Sequence, residues 1–268
     1  MNSQQRRLYE GVMRAVNGDP PLLGQRRSKA YFVYSPGGCG KTFIFDLLLA
    51  SIRSQGKIAL AVASSGIASL LLPGGSTAHS RFKIPIQIHA ESFCSVPASS
   101  DVAALLRCTH AIFWDEAPMA HKHCFKALDR TLRDLMTTED EQAAGQLFGG
   151  KVVVMGGDYR QVLPVVPRAS RAGIVAAGLQ SSSLWGHIKV VRLQSNMRVQ
   201  QLAGTDPEQA QRQQEFADLL LAASGLSIMA AHPRPARATD TTAVYTENVV
   251  YTEVFNALPP GPDDDEGW

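Results

Sequence analysis

The chain has 268 residues, of which 45% are hydrophobic and 19% are charged, and its formal net charge is +2. This length and composition can bury one substantial core, whereas the charge is too small to indicate a partner. No apolar run approaches the roughly 18 residues of a membrane-spanning helix, so we expect no membrane partner. The four cysteines form no C-x-x-C pair, which favours a reducing intracellular compartment over a disulfide scaffold.

The first 54 residues predict a helix, a strand, a glycine-rich loop and a second helix, in that order. Apolar residues recur at helical spacing over 4–16, with Asn2 or Ser3 as the expected N-cap. The apolar run 30–34 is typical of a buried strand, and 42–54 is an amphipathic segment. This order is that of a phosphate-binding strand, loop and helix.

The loop at 35–40 has the composition of a phosphate-binding loop. Its backbone N–H groups would point inward as a nest for anionic oxygens, next to the positive end of the following helix dipole. In the pattern G-x-x-x-x-G-K-[ST], Lys41 reaches the β and γ phosphates and the Thr42 hydroxyl binds Mg²⁺. Ser35 stands where the pattern has its first glycine, and the alternative interpretation is a flexible surface turn. The predicted ATP-binding residues here are Gly37, Gly38, Cys39, Gly40, Lys41 and Thr42.

The rest of the chain alternates predicted strands and helices. Such alternation predicts a parallel sheet covered on both faces, with the ligand at the carboxyl ends of the strands. The region 76–97 has no clear period and is expected to be a loop-rich insert over the core, and 137–150 a polar loop. Further strands are predicted at 58–62, 110–114, 151–155 and 189–193, and further helices at 67–72, 101–107, 122–136 and 208–223.

Two acidic residues, Asp115 and Glu116, directly follow the apolar run 110–114. In phosphate-loop ATPases a carboxylate at this place holds Mg²⁺, and a second acid can orient and deprotonate the attacking water. We therefore predict that Asp115 binds the metal together with Thr42, and that Glu116 is catalytic. The alternative is a turn with two surface acids.

Three other side chains are candidates for contacts with ATP. Gln161 follows Gly156 and Gly157, whose missing side chains allow a close backbone approach; a plain β-turn is the alternative. Arg198 follows the fifth predicted strand, where a guanidinium would stabilise charge in the transition state; a surface arginine is the alternative. Gln5, in the first helix, could read the adenine edge with its amide.

Hydroxyl and imidazole groups cluster in the predicted loops after the second strand. Such groups bind phosphodiester oxygens without reading sequence, and Phe82 and Phe93 could offer stacking faces for bases. For His79 the alternative is a hydrogen-bonded loop residue. The predicted contacts with single-stranded DNA are Ser64, Ser65, Thr77, His79 and Ser80.

Together these stretches resemble the Pif-one-like DNA helicases of superfamily one, in the version carried by Helitron transposons. Residues 2–6 are similar to the family's adenine-reading glutamine motif, and 36–42 to its phosphate loop. Later stretches are similar to its strand-tracking, metal-and-water, coupling and domain-closing segments. In order, these stretches are 63–68 with 70–82, 114–119, 156–164, and 183–185 with 196–198. The similarity runs to about residue 217.

The resemblance implies a RecA-like P-loop NTPase domain of α/β class over residues 1–225, with helices on both faces of a parallel sheet. It implies a 5′-to-3′ DNA helicase driven by Mg-ATP, with roles in DNA repair, recombination and telomere maintenance in the nucleus. Family motors hold ATP between two RecA-like domains, and this sequence matches the first. We therefore expect a truncated copy with a weakly ordered tail over 226–268, and a second motor domain that another chain could supply.

Two other functions stay open at this point. The chain could be a non-motor module that holds ATP or single-stranded DNA without unwinding. It could also be a ring-forming ATPase of another class, which would need an arginine from a neighbouring subunit. A DNA-stimulated ATPase assay separates the helicase from the passive module.

Overall fold

The computed structural model describes residues 1–20, 28–159 and 163–197, and also 199, 209, 211, 212 and 215. In this part of the chain six parallel strands form one sheet, in the spatial order β3-β2-β4-β5-β1-β6. The strands are β1 (Ala30–Tyr34), β2 (Ile58–Ala63), β3 (Ser76–Thr77), β4 (Thr109–Asp115), β5 (Val152–Gly157) and β6 (Lys189–Arg192). The predicted parallel α/β sheet is confirmed.

Helices cover both faces of the sheet, because successive side chains of a strand point to opposite faces. On β1, Phe32 belongs to one buried cluster and Val33 to the other. The helices are α1 (Ser3–Asn17), α2 (Lys41–Ser54), α3 (Gly66–Leu70), α4 (Ala78–Phe82), α5 (Asp101–Cys108), α6 (Lys122–Thr137) and α7 (Arg171–Ala177). The first two pack on the Val33 face, whereas α5 and α6 pack on the Phe32 face.

The ends of the helices agree with the sequence signals. Asn2 caps α1 through a capping box, in which its side chain accepts from the Gln5 N–H and the Gln5 side chain accepts from the Asn2 N–H. Gly18 ends this helix in the left-handed conformation that glycine favours. Ser100 caps α5 by accepting from the Ala103 N–H. The five predicted strands are all present, with bounds within two residues of those expected.

The insert at 76–97 contains two elements that the sequence did not indicate. Its first two residues form β3, which pairs with β2 at the edge of the sheet, and α4 follows directly. Two residues are too few to show a strand period, so this edge strand could not be read from the pattern. The prediction that Phe82 stacks on bases is wrong, because its side chain is fully buried beside Trp114.

The segment predicted as a polar loop at 137–150 instead packs into the core. It contains the 3₁₀ turns Glu141–Gly145 and Leu147–Gly150, and the Phe148 side chain is fully buried. The buried carboxylate of Asp129 on α6 holds this segment: Oδ1 accepts from the Phe148 N–H at 2.6 Å and from Arg133 Nε at 3.0 Å. The segment was misread because its apolar residues are few and its anchor lies on another element.

Several expectations lie outside the described residues. They are the weakly ordered tail at 226–268, the domain boundary at 225 and most of the helix at 208–223. None of the four cysteines forms a disulfide. Among the described helices, none has the length and apolar character that crossing a bilayer requires.

We expect Asp129→Ala to lower the free energy of unfolding by about 2–3 kcal/mol, because it leaves the buried Phe148 N–H without an acceptor. Urea unfolding measures this change. The matched control is Asp134→Ala, which removes an exposed carboxylate from the same helix. Equal stability of the two variants would show that Asp129 does not anchor the 147–150 turn.

Candidate nucleotide-binding site

The glycine-rich loop and the two acids lie at one edge of the sheet. The strands β4, β5 and β1 are neighbours, and all three run in the same direction, so their carboxyl ends meet. The Ser35 N–H at the end of β1 donates to the Gly157 carbonyl at the end of β5, at 3.4 Å. The structure therefore brings the predicted loop and Asp115 to the same place.

Two glycines give the loop its shape. Gly38 and Gly40 have φ angles of 86° and 81°, in the region that favours glycine. A Cβ atom at Gly38 would lie 2.8 Å from Asn196 Oδ1, and one at Gly40 would lie 2.5 Å from Gln5 Nε2. Gly40 is also the N-cap of α2, and no side chain caps that helix. The N–H groups of its first turn therefore face the loop as an anion nest.

Residues from both ends of the described chain support this loop. Gln5 Nε2 donates to the Cys39 carbonyl at 3.2 Å, and the Met197 N–H donates to the Gly38 carbonyl at 2.9 Å. The Gln5 side chain is almost fully buried, and its Oε1 accepts from the Asn2 N–H at 3.0 Å. Gln5 thus holds the loop in this structure, and an adenine contact by its amide stays a prediction.

Lys41 joins the loop to the two acids. Its ammonium forms ion pairs with Asp115 Oδ1 and, at 2.7 Å, with Glu116 Oε1. Burial alone would lower the pKa of Lys41, but the two carboxylates outweigh this effect and raise the pKa above its ordinary value. The lysine is therefore charged at neutral pH, and Asp115 is held in place by a second hydrogen bond, from the Glu116 N–H at 2.8 Å.

The backbone around Glu116 is fixed by close contacts. Glu116 has a φ of 49°, an uncommon conformation for a residue with a side chain, and it starts the 3₁₀ turn Ala117–Met119. A Cβ atom at Gly157 would lie 2.3 Å from Pro118 Cδ. One at Gly156 would lie 2.7 Å from Phe45 Cζ and 3.1 Å from Lys41 Cδ. The expected close approach at the paired glycines is confirmed, and their neighbours are the lysine stem and the turn after the acids.

Asp46 is a third acid near this cluster that the sequence analysis missed. It lies on α2, one turn beyond Thr42. Burial and the negative charge of Asp115 raise the pKa of Asp46 above its ordinary value. The sequence signal for Asp46 was its position four residues after Thr42, since this spacing places the two side chains on one face of α2.

The donor set fits a magnesium ion that is shared with phosphate groups. Mg²⁺ prefers oxygen ligands and usually combines one or two carboxylates with substrate phosphates and waters. Asp115 and the hydroxyl of the exposed Thr42 are donors of this kind. In the part of the chain that the structure describes, no three His, Cys, Asp or Glu side chains are grouped to hold a metal. Asp115 and Thr42 would be the protein ligands of such an ion.

The predicted DNA contacts lie at the same edge of the sheet, after β2 and β3, where several of them already have structural partners. Ser64 Oγ accepts from Trp114 Nε1 at 2.9 Å. Ser65 caps α3, and Thr77 caps α4 by accepting from the Ser80 N–H at 3.2 Å. His79 is half-buried, and burial lowers its pKa. The contact of these residues with DNA stays a prediction.

Two predicted catalytic residues, Gln161 and Arg198, lie outside the described residues, so their roles stay predictions. Their flanking segments are described. Asn196 and Met197 directly precede Arg198 and contact the phosphate loop. Sequence analysis assigned a role only to the arginine, because a polar and an apolar residue carry no chemical signal of loop support.

The sheet, the glycine loop at its carboxyl edge and the carboxylates on the adjacent strand define a RecA-like P-loop NTPase domain. The chain belongs to the PIF1-like helicase family, whose family model matches residues 1–230. It is 28% identical over 140 residues to the ATP-dependent DNA helicase PIF4 of Trypanosoma brucei brucei. The aligned region covers 49% of this chain and 16% of that protein.

Two solved helicase structures share the fold. Bacteroides Pif1 bound to ssDNA superposes with a TM-score of 0.57 at 24% identity, over 74% of this chain and 42% of that one. Pif1 helicase from Candida albicans gives a TM-score of 0.56 at 18% identity, over 89% and 49% of the two chains. This chain therefore spans less than half the length of these relatives.

We expect Gly157→Ala to lower the free energy of unfolding by about 1–3 kcal/mol, because the new methyl group would overlap Pro118 and displace the turn after Glu116. Denaturant titration measures this change. In the control, Gly186→Ala, the methyl group meets nothing within 4 Å. If Gly157→Ala were as stable as this control, the close packing of β5 against the turn would be refuted.

Proposed function

We propose that this chain is the nucleotide-binding part of an ATP-dependent DNA helicase. The observation that carries the proposal is the contact of Lys41 with both Asp115 and Glu116 directly below the glycine loop. This contact combines phosphate-binding and metal-binding groups in one crevice. Family membership supports DNA unwinding as the work that ATP hydrolysis would drive.

In this proposal Lys41 exchanges its carboxylate partners for phosphate oxygens when ATP enters. The loop N–H groups and the first turn of α2 receive the remaining phosphate charge. Thr42 and Asp115 would hold Mg²⁺, which neutralises charge on the transferred phosphate group. Glu116, released from the lysine, would orient the attacking water and accept its proton.

The residues outside the described part complete the proposed chemistry. Gln161 would position the water or the γ-phosphate, and Arg198 would stabilise charge in the transition state. Support for Arg198 comes from its neighbour Met197, whose backbone is hydrogen bonded to the loop carbonyl of Gly38. Gln5 would contact adenine if its amide exchanged the hydrogen bonds that it makes in this structure.

Single-stranded DNA is the proposed nucleic-acid partner. A related helicase, Bacteroides Pif1, is described as bound to ssDNA. In this chain, hydroxyls and N–H groups after β2 and β3 are of the kind that binds phosphodiester oxygens. A 5′-to-3′ direction, a nuclear location and roles in repair, recombination and telomere maintenance follow from the family resemblance, and we propose them on that basis.

A passive nucleotide-binding module is the second candidate. It would need only the crevice that brings Lys41 together with Asp115 and Glu116. The helicase proposal includes a second motor domain as a further partner. ATPase activity of the purified chain, measured with and without single-stranded DNA, decides between the two. DNA-stimulated turnover supports the motor, and ATP binding without turnover supports the passive module.

We expect Lys41→Ala to weaken ATP binding by at least about tenfold, because a charge-assisted contact with phosphate contributes about 1.5–3 kcal/mol. Isothermal titration with Mg-ATP measures the affinity. Lys57→Ala is the control, because this lysine contacts Asn17 outside the crevice. Equal affinities of the two variants would refute the phosphate-binding role of the loop.

Glu116→Gln separates binding from hydrolysis. We expect its ATP affinity to stay within about twofold of the parent while turnover falls by about 10²–10⁴, the usual contribution of a general base. A single-turnover assay measures the chemical step. Glu139→Gln, which alters a half-exposed acid beyond α6, is the control. Unchanged turnover in Glu116→Gln would remove this residue from the proposed mechanism.

A further inference from the structure

We propose that a cavity beside α6 binds a phosphate-bearing nucleotide unit of a polynucleotide strand, at a site separate from the ATP crevice. The cavity has a volume of about 470 Å³, within the range of small-molecule sites. It lies between one side of α6 and the two segments that precede β5 and β6. Its lining residues are Lys126, Asp129, Arg130, Arg133, Leu147 and His187, with Gly145, Ser183 and Leu184.

The position of the cavity separates it from the nucleotide site. Leu147 lies shortly before β5, and Ser183 and His187 lie shortly before β6. These residues are at the amino ends of their strands, whereas the glycine loop and Asp115 are at the carboxyl ends. A ligand in the cavity would therefore lie along α6 and toward the amino ends of β5 and β6, and would contact neither the glycine loop nor Asp115.

The cavity has an excess of positive charge. Three permanent cations face one carboxylate, Asp129, which Arg133 and the Phe148 N–H already satisfy. Lys126 and His187 take part in none of the ion pairs found among the described residues. Arg130 donates one bond to the Ser92 carbonyl and has an exposed partner, Glu91, at 3.6 Å. Most of its five N–H donors stay available to a ligand.

The surrounding field is also positive. Burial, together with nearby positive charges that include Lys126 and Arg130, lowers the pKa of His123 to about 4. His123 precedes the cavity by one turn of α6. An anion beside Lys126 and Arg130 would reduce this uncompensated charge.

The mixture of groups fits a nucleotide unit better than a simple anion. Arginine forks and a lysine match phosphate oxygens, and the exposed Ser183 offers a hydroxyl of the kind that contacts phosphate and sugar. Leu147 and Leu184 provide apolar walls that a sugar or a base face can cover. The cation–π contact of Arg130 with the half-exposed Phe93, at 5.9 Å, places an aromatic ring beside the same arginine. Aromatic rings next to cations are typical of surfaces that bind single strands.

The test measures binding of a fluorescent oligothymidylate by anisotropy over a series of salt concentrations. We expect Lys126→Ala to weaken binding roughly fivefold and to reduce the slope of log K against log salt by about 0.7, the value for one phosphate contact on a single strand. Lys122→Ala is the matched control, because it lies one turn earlier on α6 and does not line the cavity. Circular dichroism checks that both variants are folded.

Two further measurements separate the cavity from the ATP site and a polynucleotide phosphate from a free phosphate. Mg-ATP affinity of Lys126→Ala should equal that of the parent, so a failed ATP site and a failed cavity are told apart. Competition between free pyrophosphate and the oligothymidylate shows whether the cavity prefers a free phosphate or a phosphate of a polynucleotide strand. The proposal is overturned if the oligonucleotide binds parent, Lys122→Ala and Lys126→Ala with the same salt slope. It is also overturned if Lys126→Ala loses only pyrophosphate binding, which would assign the cavity to a free phosphate.

Discussion

The ion-pair cluster of Lys41, Asp115 and Glu116 is the constraint on which the site depends. An ammonium in this mostly buried position is unfavourable by itself, and the two carboxylates compensate for it. Removing Lys41 would leave two neighbouring carboxylates without a cation in the crevice. We infer that if Lys41 turns to a phosphate, the two acids need another cation at the same moment. This requirement gives a physical reason for nucleotide and metal to bind together.

The geometry of this cluster comes from close backbone packing. β4 carries the acids and β1 leads into the lysine, but β5 lies between them in the sheet. The lysine stem and the turn after Glu116 can approach each other only because Gly156 and Gly157 have no side chains. The two glycines at the end of β5 therefore set the spacing of the charged groups on the neighbouring strands.

Much of the fold and of this crevice could be predicted from the sequence, because the signals are local. An apolar run followed by glycines and Lys41 specifies a strand, a loop and a helix within a few residues. The support of the loop could not be predicted this way. Gln5 and Met197 contact it from 34 and 159 positions away along the chain, and their residue types do not reveal a partner. The buried anchor Asp129 and the two-residue β3 escaped notice for the same reason, since their partners lie on other elements.

The distant contacts also connect the crevice to both ends of the main described region. The Met197 N–H is bonded to the Gly38 carbonyl, and Asn2 Nδ2 lies 3.4 Å from Met197 Sδ. The Gln194 N–H donates to Gln4 Oε1 at 3.0 Å. If the phosphate loop moves, the first turn of α1 and the segment after β6 must therefore move with it, or these hydrogen bonds break. Because the Met197 N–H is bonded to the loop, a change in the loop on nucleotide binding would displace Met197, and the loop and the 194–197 segment are best regarded as one mechanical unit.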